Sequence, residues 1–432
     1  MYSWYVLAML VAVYSFNWMD RYVLVILLQP IKQDLRLSDG ELGLLSGFAF
    51  ALVYSLAGVP IARWADRGSR RSLISLGMVV WSAMTAVSGL ARNFAQLIAA
   101  RVGVALGESA CSPAASSLIA DYFPSHRRAT AFAIYGLGIS IGMAMGLSIG
   151  GWASEHYGWR SALMLVGLPG VLMAVIVRVT VREPVRGQQD ASAEEPGLQS
   201  LPDTVRTLLA CKCFLAYGAG LGLCSLSGNA FETWTPVYLM RLYHMGSSAV
   251  GAWTGTVEGV GGILGTLAGG VLADRLGRHD ERWYLWIPAL SAGAMVPSMY
   301  LFLHTNGTGM FVFYFVTVVF AGAYMAPLVA ITQRLMPVRL RAQATALVYL
   351  LLNLIGPGAG PLLAGLLNDA LAGRYGGEAV RVSLTLTLSG AVAGVARIVY
   401  AARLLPRELA TAAAASAPPV AQSCALISPT LP

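Results

Sequence analysis

Two opposite charges stand inside the apolar run that opens the chain. Asp20 and Arg21 lie within a stretch from Met1 to Pro30 that is long enough to cross a bilayer. A charged side chain at the centre of a membrane helix costs roughly 2.5 to 3.5 kcal/mol, so such residues face a bundle interior or a cavity. The pair therefore predicts a functional site within a bundle of membrane helices.

A second pair of charges lies in a later apolar segment. Arg101 and Glu108 are seven residues apart, close to two helical turns, so they share one face of that helix. We predict that Asp20, Arg21, Arg101 and Glu108 form one cluster. In this cluster, Asp20 and Glu108 bind or release a proton when their surroundings change, and the arginines contact an anionic substrate. The alternative is a static ion network that only fixes the helices in place.

Two further acids, Glu232 and Glu258, lie in apolar segments that contain no basic residue to balance them. Glu258 is in the middle of its segment, where a cavity position is favoured by the cost of exposing a charge to lipid. Glu232 is close to an end of its segment, so an interfacial position and a functional one are equally compatible with the sequence. Both are candidate substrate-binding residues.

The composition is that of a membrane protein. Of 432 residues, 56% are hydrophobic and 12% are charged, whereas soluble domains contain about 25% charged residues. The net charge of +8 comes from short, scattered basic clusters, which argues against nucleic-acid binding. The five cysteines and five histidines show no ligand spacing, so we expect no metal and no cofactor.

Twelve segments are long and apolar enough to be membrane-spanning helices. They predict an all-α membrane protein with a six-helix half at 1–181, a cytoplasmic linker at 182–207, a second six-helix half at 208–404 and a disordered tail at 405–432. Most of the 29 Lys and Arg residues fall in the loops on the side of both termini. The positive-inside rule then places both termini in the cytoplasm of a cell bounded by the plasma (inner) membrane.

The two halves repeat one charged loop. Ala62-Arg63-Trp64-Ala65-Asp66-Arg67-Gly68-Ser69-Arg70-Arg71 follows the second segment, and Gly270-Val271-Leu272-Ala273-Asp274-Arg275-Leu276-Gly277-Arg278 follows the eighth. Internal duplication is typical of secondary transporters. The loop resembles the signature loop of the major facilitator superfamily, although Ala62 and Ser69 replace two glycines in the first copy. That resemblance implies a conformational latch, formed here by Asp66, Arg67, Arg70, Arg71, Gly270, Asp274, Arg275, Gly277 and Arg278; the alternative is a plain positive-inside cluster.

A glycine stripe marks the fifth segment. Gly138, Gly142, Gly146 and Gly150 recur every four residues, so they lie on one face and allow a neighbouring backbone to approach. We predict that this face packs at the interface between the halves. The stripe is similar to the fifth-helix motif of facilitator-type antiporters, but Leu147 stands where that motif has proline.

Within the superfamily, the first half resembles the Spinster family. The features are Asn17 with Asp20-Arg21, Asp66-Arg67 with Ser69-Arg70, Arg101-Val102-Gly103 with Gly107-Glu108-Ser109, and Ala120-Asp121-Tyr122-Phe123. The resemblance implies proton-coupled transport with Asp20 as the proton site and with Arg101 and Glu108 as cavity partners. Substrates in that family include lysophospholipids and sphingosine phosphate.

These observations predict a monomeric transporter, not an enzyme, whose partners are protons, a small-molecule substrate and the lipid bilayer. An amphiphilic anion would place its head near Arg21 or Arg101 and its chain against aromatic residues of the second half: Phe231, Trp234, Trp253 and Tyr324. A small organic anion or sugar acid is the alternative substrate. A sensor or scaffold without flux is a less favoured function, because it need not retain costly intramembrane charges.

Overall fold

The computed structural model describes residues 1–186, 201–325, 331 and 340–416, without the side chains at positions 59, 62, 66, 201–204, 207, 325, 341, 342, 407 and 409–416. Every regular element in these ranges is helical. The helices of the first half are α1 (Tyr2–Leu35), α2 (39–67), α3 (Arg70–Ser88), α4 (Phe94–Tyr122), α5 (125–157) and α6 (159–180). Gly158 separates α5 from α6, and its φ of 80° lies in a region that glycine adopts readily.

The second half follows a short helix at Leu201–Ala210. Its helices are α7 (Lys212–Leu242), α8 (Ser247–Gly277), α9 (Trp283–His304), α10 (Thr308–Met325), α11 (341–375) and α12 (Ala379–Ser416). Two predicted boundaries differ from these. The helix at Leu201–Ala210 begins inside the predicted linker, and α12 continues past residue 404 to Ser416 because the alanine-rich stretch there favours a helix.

Successive helices run in opposite directions, and short contacts identify the two ends of the bundle. At the end where α1 begins, here named the near end, the Tyr2 hydroxyl donates to the main-chain oxygen of Thr180, 2.8 Å away. At the opposite end, here named the far end, Asp34 and Arg160 form an ion pair between α1 and α6. The first half therefore closes on itself at both ends of α1.

The glycine stripe of α5 packs against α1, inside the first half. A Cβ atom on Gly142 would lie 2.7 Å from Trp18 Cβ, and one on Gly146 would lie 2.7 Å from the main-chain oxygen of Met19. The prediction that the stripe lies between the halves is thus wrong. The neighbouring face of α5, at Gly151, meets Ser247 of α8 instead, because adjacent helical residues point about 100° apart.

The stripe holds the backbone of α5 directly beside residues 11–26 of α1, and this packing is testable. We expect Gly142→Ala to lower the free energy of unfolding by about 1 to 3 kcal/mol, because the added methyl group overlaps backbone that cannot move aside. Gly136→Ala is the matched control, since a Cβ there has no atom within 4 Å. Thermal unfolding of both purified variants in detergent measures the effect; equal midpoints would contradict it.

The π-helical turns of α2 and α11 lie against each other across the two halves. They span Leu44–Phe48 and Leu354–Ala359. A Cβ on Gly47 would lie 2.6 Å from the main-chain oxygen of Gly358, so the two backbones are in direct contact. Single π turns are frequent at functional positions, and this pair brings the halves together between the centre and the far end.

Candidate functional site

Asp20 lies where α1, α3 and α4 meet. Its side chain is 1% exposed, and its Oδ2 accepts a hydrogen bond of 3.2 Å from the hydroxyl of Thr85 on α3. Nη1 of Arg101 on α4 donates to the main-chain oxygen of Asp20 at 3.4 Å. Oδ1 of Asp20 has no hydrogen-bond partner among the described residues. Asp20 is therefore a buried acid with capacity for a proton.

Arg21 and Glu108 form a direct ion pair beside Asp20. Nε of Arg21 donates to Oε2 of Glu108 at 2.6 Å, and the Glu108 side chain is fully buried while Arg21 is 20% exposed. The Arg21 guanidinium also lies over the rings of Trp18, Phe50 and Tyr54, at 4.7 to 5.0 Å from their centroids. Such cation–π contacts stabilise a charge that has little water around it.

The four charged residues predicted to cluster are brought together by α1 and α4. Arg101 is 2% exposed and stacks 5.4 Å from the centroid of Phe50, but the residue that forms the ion pair with Glu108 is Arg21. Nε of Arg101 has no hydrogen-bond partner within the described ranges. Arg101 thus retains an unused donor in the interior of the first half.

On the other side of α1, the site continues into the second half. The hydroxyl of Tyr22 donates to the carboxylate of Glu232 on α7, and the hydroxyl of Tyr314 on α10 donates to Glu258 at 2.7 Å. Glu232 is half-buried and Glu258 is 6% exposed. Sequence reasoning missed Tyr22 and Tyr314; the position of Tyr22 next to Asp20 and Arg21 was the only signal.

The aromatic residues of the second half mainly pack against other helices. Trp234 is fully buried and its indole N–H donates to the main-chain oxygen of Pro361 at 3.0 Å. Phe231 is 3% exposed and Tyr324 is 5% exposed, while Trp253 packs against Phe311 on α10. Three of these residues therefore expose little surface to a cavity and Trp253 is half-buried, whereas the sequence predicted that all four line an aromatic lobe.

The repeated loop forms an ionic network in its first copy, at the near end. Arg70 is 1% exposed and pairs with Asp121 at the end of α4 and with Glu183 after α6, the latter at 2.8 Å. The main-chain N–H of Arg71 donates to the same Glu183 carboxylate at 2.9 Å. Burial tends to raise the pKa of Glu183, but the hydrogen bonds from Arg70, Arg71 and Ser69 outweigh it, so its pKa lies below the usual range.

The remaining loop residues are less enclosed. Arg67 is exposed, and the side chain of Asp66 lies outside the described part of the structure. In the second copy, Gly270 is half-buried and Gly277 is buried against Tyr284. The charged residues of that copy are all exposed: Asp274, Arg275 and Arg278.

A cross-half ion cluster closes the far end. Arg241 of α7 binds the carboxylate of Asp39 through two hydrogen bonds of 2.6 and 2.7 Å, and Lys32 pairs with the same carboxylate. The carboxylate of Asp369 on α11 accepts from the main-chain N–H groups of Asp39 and Gly40 at 2.9 and 2.7 Å. An anion at the N-terminus of α2 is favourable because the helix dipole is positive there. Both contacts join the two halves.

Removal of one charge from this cluster should loosen the far end. In Asp39→Asn, Arg241 loses a buried bidentate partner, a change that typically costs about 3 to 5 kcal/mol. We expect faster hydrogen–deuterium exchange in peptides that cover residues 36–44 and 241–248. Asp34→Asn is the matched control, since the Asp34–Arg160 pair is exposed and lies within the first half. Unchanged exchange in Asp39→Asn would show that the cluster does not hold the end closed.

Within the described ranges, no three His, Cys, Asp or Glu side chains lie together in a metal-binding arrangement. The side chains gathered around Asp20 are acids, arginines, hydroxyls and aromatic rings, a set suited to ion pairing and proton exchange.

Comparison with known proteins identifies relatives over most of the chain. The chain is 33% identical over 388 residues to an MFS-type efflux pump of Mycolicibacterium smegmatis, covering 90% of this chain and 89% of the relative. It is 26% identical over 384 residues to the sphingosine-1-phosphate transporter SPNS2 of Danio rerio, with coverage of 83% and 75%. It is also 28% identical over 298 residues to a probable galactarate/D-glucarate transporter of Bacillus subtilis, with coverage of 63% and 65%.

A solved structure supports the same assignment. The chain superposes with a TM-score of 0.85 on a bacterial homologue of the human lysosomal transporter Spinster in an inward-facing, unoccupied conformation. The two are 29% identical, and the match covers 94% of this chain and 98% of the other. The predicted resemblance to the Spinster family is thereby confirmed. Residues 10–361 and 246–426 match the family described as Major Facilitator Superfamily. This integral membrane protein therefore belongs to the Major Facilitator Superfamily, whose transporter fold was predicted from its sequence.

Proposed function

We propose that this protein is a proton-coupled secondary transporter of an anionic, amphiphilic small molecule, and that it works by rocking of its two halves. The observation that carries the proposal is Asp20, a buried acid with an unpartnered oxygen, next to the buried Arg21–Glu108 ion pair. Charged groups at this depth cost free energy to insert into a membrane, so their presence indicates a functional site.

Asp20 and Glu108 are the proposed proton-coupling residues. The proton affinity of a buried carboxylate depends on its cationic partner and on water access. Arg21 contacts Glu108 directly and Arg101 contacts the main chain of Asp20, all within the first half, so each acid keeps its cation nearby while rocking of the halves changes which side's water reaches it. This links the opening of one side to uptake or release of a proton.

Arg21, Arg101, Glu232 and Glu258 are the proposed substrate-binding residues. The unused donor of Arg101 and the partly exposed guanidinium of Arg21 suit an anionic head group. The amphiphile is favoured over a smaller anion by the similarity to Spinster-type proteins, which extends over more of this chain than the similarity to the sugar-acid transporter. The buried aromatic residues do not add support.

A homologous series of lysolipids tests the substrate class. Each buried methylene contributes about 0.8 kcal/mol, so affinity for the amphiphile should rise nearly fourfold with each added carbon until the cavity is filled. Competition binding to purified protein in nanodiscs measures it, with galactarate and glucarate as tail-free comparators. A flat series together with tight binding of the short acids would rule out the amphiphile.

A sugar acid or other small organic anion is the second candidate. Arg101, which is buried, and Arg21, which is partly exposed, suit a carboxylate as well as a lipid phosphate, and one relative is a probable galactarate/D-glucarate transporter. The lysolipid series separates the two candidates, because only the amphiphile gains affinity from a longer chain.

We also propose that the near end faces the cytoplasm, as the distribution of Lys and Arg favours. In that orientation the far-end cluster of Asp39, Arg241 and Asp369 closes the outer side in an inward-facing state. The charged loops at the near end would then act as the latch of the opposite, outward-facing state. In the present structure, the Arg70–Glu183 ion pair already holds the first copy of the loop in place.

A further inference from the structure

Two carboxylates of the second half face a common interior region. Glu232 on α7 and Glu258 on α8 lie in the same part of the interior: the ring of Phe231, the residue before Glu232, is 6.0 Å from the ring of Tyr314, whose hydroxyl binds Glu258. Each accepts one tyrosine hydroxyl: Tyr22 from the first half serves Glu232, and Tyr314 from the second half serves Glu258. Both acids therefore have a neutral donor and a negative neighbour.

The other titratable or charged groups around this pair come from two helices. Arg21 of α1 precedes Tyr22 in the chain, and its Nε donates to Glu108 of the first half. Tyr324 of α10 lies near Glu232 and is uncharged at neutral pH. Within the described parts of the chain, neither Glu232 nor Glu258 forms an ion pair with Lys, Arg or His. The pair thus differs from Asp20 and Glu108, which have arginines beside them.

Two ionised carboxylates in such a place repel each other, and low-dielectric surroundings strengthen the repulsion. A proton bound by either acid removes one of the charges and relieves the repulsion. We infer that Glu232 and Glu258 form a second proton-binding site, in the second half, distinct from the Asp20–Glu108 region. The proton comes from and returns to cavity water, and no bond between heavy atoms changes.

Tyr22 links this second site to the conformational change. Tyr22 lies on α1, in the first half, yet its hydroxyl donates to the carboxylate of Glu232 in the second half. Rocking that separates α1 from α7 breaks this hydrogen bond. Because the hydroxyl stabilises the ionised carboxylate, its loss favours protonation of the pair. The inference goes beyond the proposed function, since it adds a second proton per cycle and leaves the first site unchanged.

Infrared difference spectroscopy of the intact protein in nanodiscs tests the second site without any substrate. The carbonyl stretch of protonated carboxyl groups is followed while the pH is stepped. We expect Glu232→Gln and Glu258→Gln each to remove one titrating group and to lower the titration midpoint of the remaining acid by about one pH unit or more, because its negative neighbour is gone. Tyr22→Phe keeps both acids and should raise the midpoint instead.

Glu281→Gln, at an exposed glutamate in the loop before α9, is the matched control and should leave the buried titration unchanged. The inference is overturned if neither Gln variant loses a titrating group, or if each loses one while the other acid keeps its midpoint. Asp20→Asn separates this inference from the proposed function. This variant should leave the titration of Glu232 and Glu258 unchanged, whether or not it loses pH-driven transport.

Discussion

Asp20→Asn is expected to abolish pH-driven transport while the protein still inserts and folds. Asparagine keeps the size of the side chain and can accept from Thr85, but it cannot take up a proton. Neutralising an acid in a membrane helix also lowers the cost of insertion, so a folding defect is not expected. We expect the pH-dependent component of transport to be lost.

Proteoliposomes with an imposed pH gradient measure this effect, with an internal pH-sensitive dye and whichever lysolipid or sugar acid the wild type transports. Asp280→Asn is a control, because Asp280 is exposed in the loop before α9. Thr85→Val should have a graded effect, since it removes a hydrogen bond to Asp20 and leaves the acid in place. Unchanged pH dependence in Asp20→Asn would move the proton site elsewhere, with Glu108 as the next candidate.

Arg21→Met is expected to cause the largest loss of stability. It leaves Glu108, which is fully buried, without its direct ionic partner, and breaking one side of a buried pair typically costs about 3 to 5 kcal/mol. Glu108→Gln should cost less, because Arg21 is 20% exposed and keeps three aromatic rings around it. The double variant should be less destabilised than the sum of the single variants.

Unfolding of the purified variants in detergent gives the four free energies of this cycle. Arg160→Met is the matched control, since the pair of Arg160 with Asp34 is exposed and is worth about 0 to 1 kcal/mol. If Arg21→Met were no more harmful than Arg160→Met, the Arg21–Glu108 pair would not be a principal support of the first half.

The sequence predicts the fold well because hydropathy identifies the membrane spans, loop charge gives their orientation and the repeated loop reveals two related halves. An apolar span in a membrane has few possible structures other than a helix. Which neighbour each helix face packs against is harder to predict. The glycine stripe of α5 predicts a close helix contact, but the spacing alone cannot distinguish α1 from the second half as its partner. Likewise, the sequence predicts that the four charged residues form one cluster, but it does not indicate that the ionic partner of Glu108 is Arg21.

The far-end cluster had no signal in the sequence. Asp39 and Arg241 are 202 residues apart and each resembles an ordinary loop charge. Their pairing depends on how the two halves are set against each other, which hydropathy does not encode. The same holds for Tyr22 and Glu232, whose contact crosses the halves. The contacts within one half were thus more predictable than those between halves.

The sequence separation of the Asp20 and Arg21 contacts has a consequence for biogenesis. The partner of Arg21 is 87 residues downstream, and the arginine that binds the Asp20 main chain is 81 residues downstream. A ribosome that adds about 5 to 20 residues per second needs several seconds to deliver them. During that interval the nascent first helix carries charges without their ionic partners. We therefore expect it to remain beside the translocon, or beside a membrane chaperone, until α4 has been inserted.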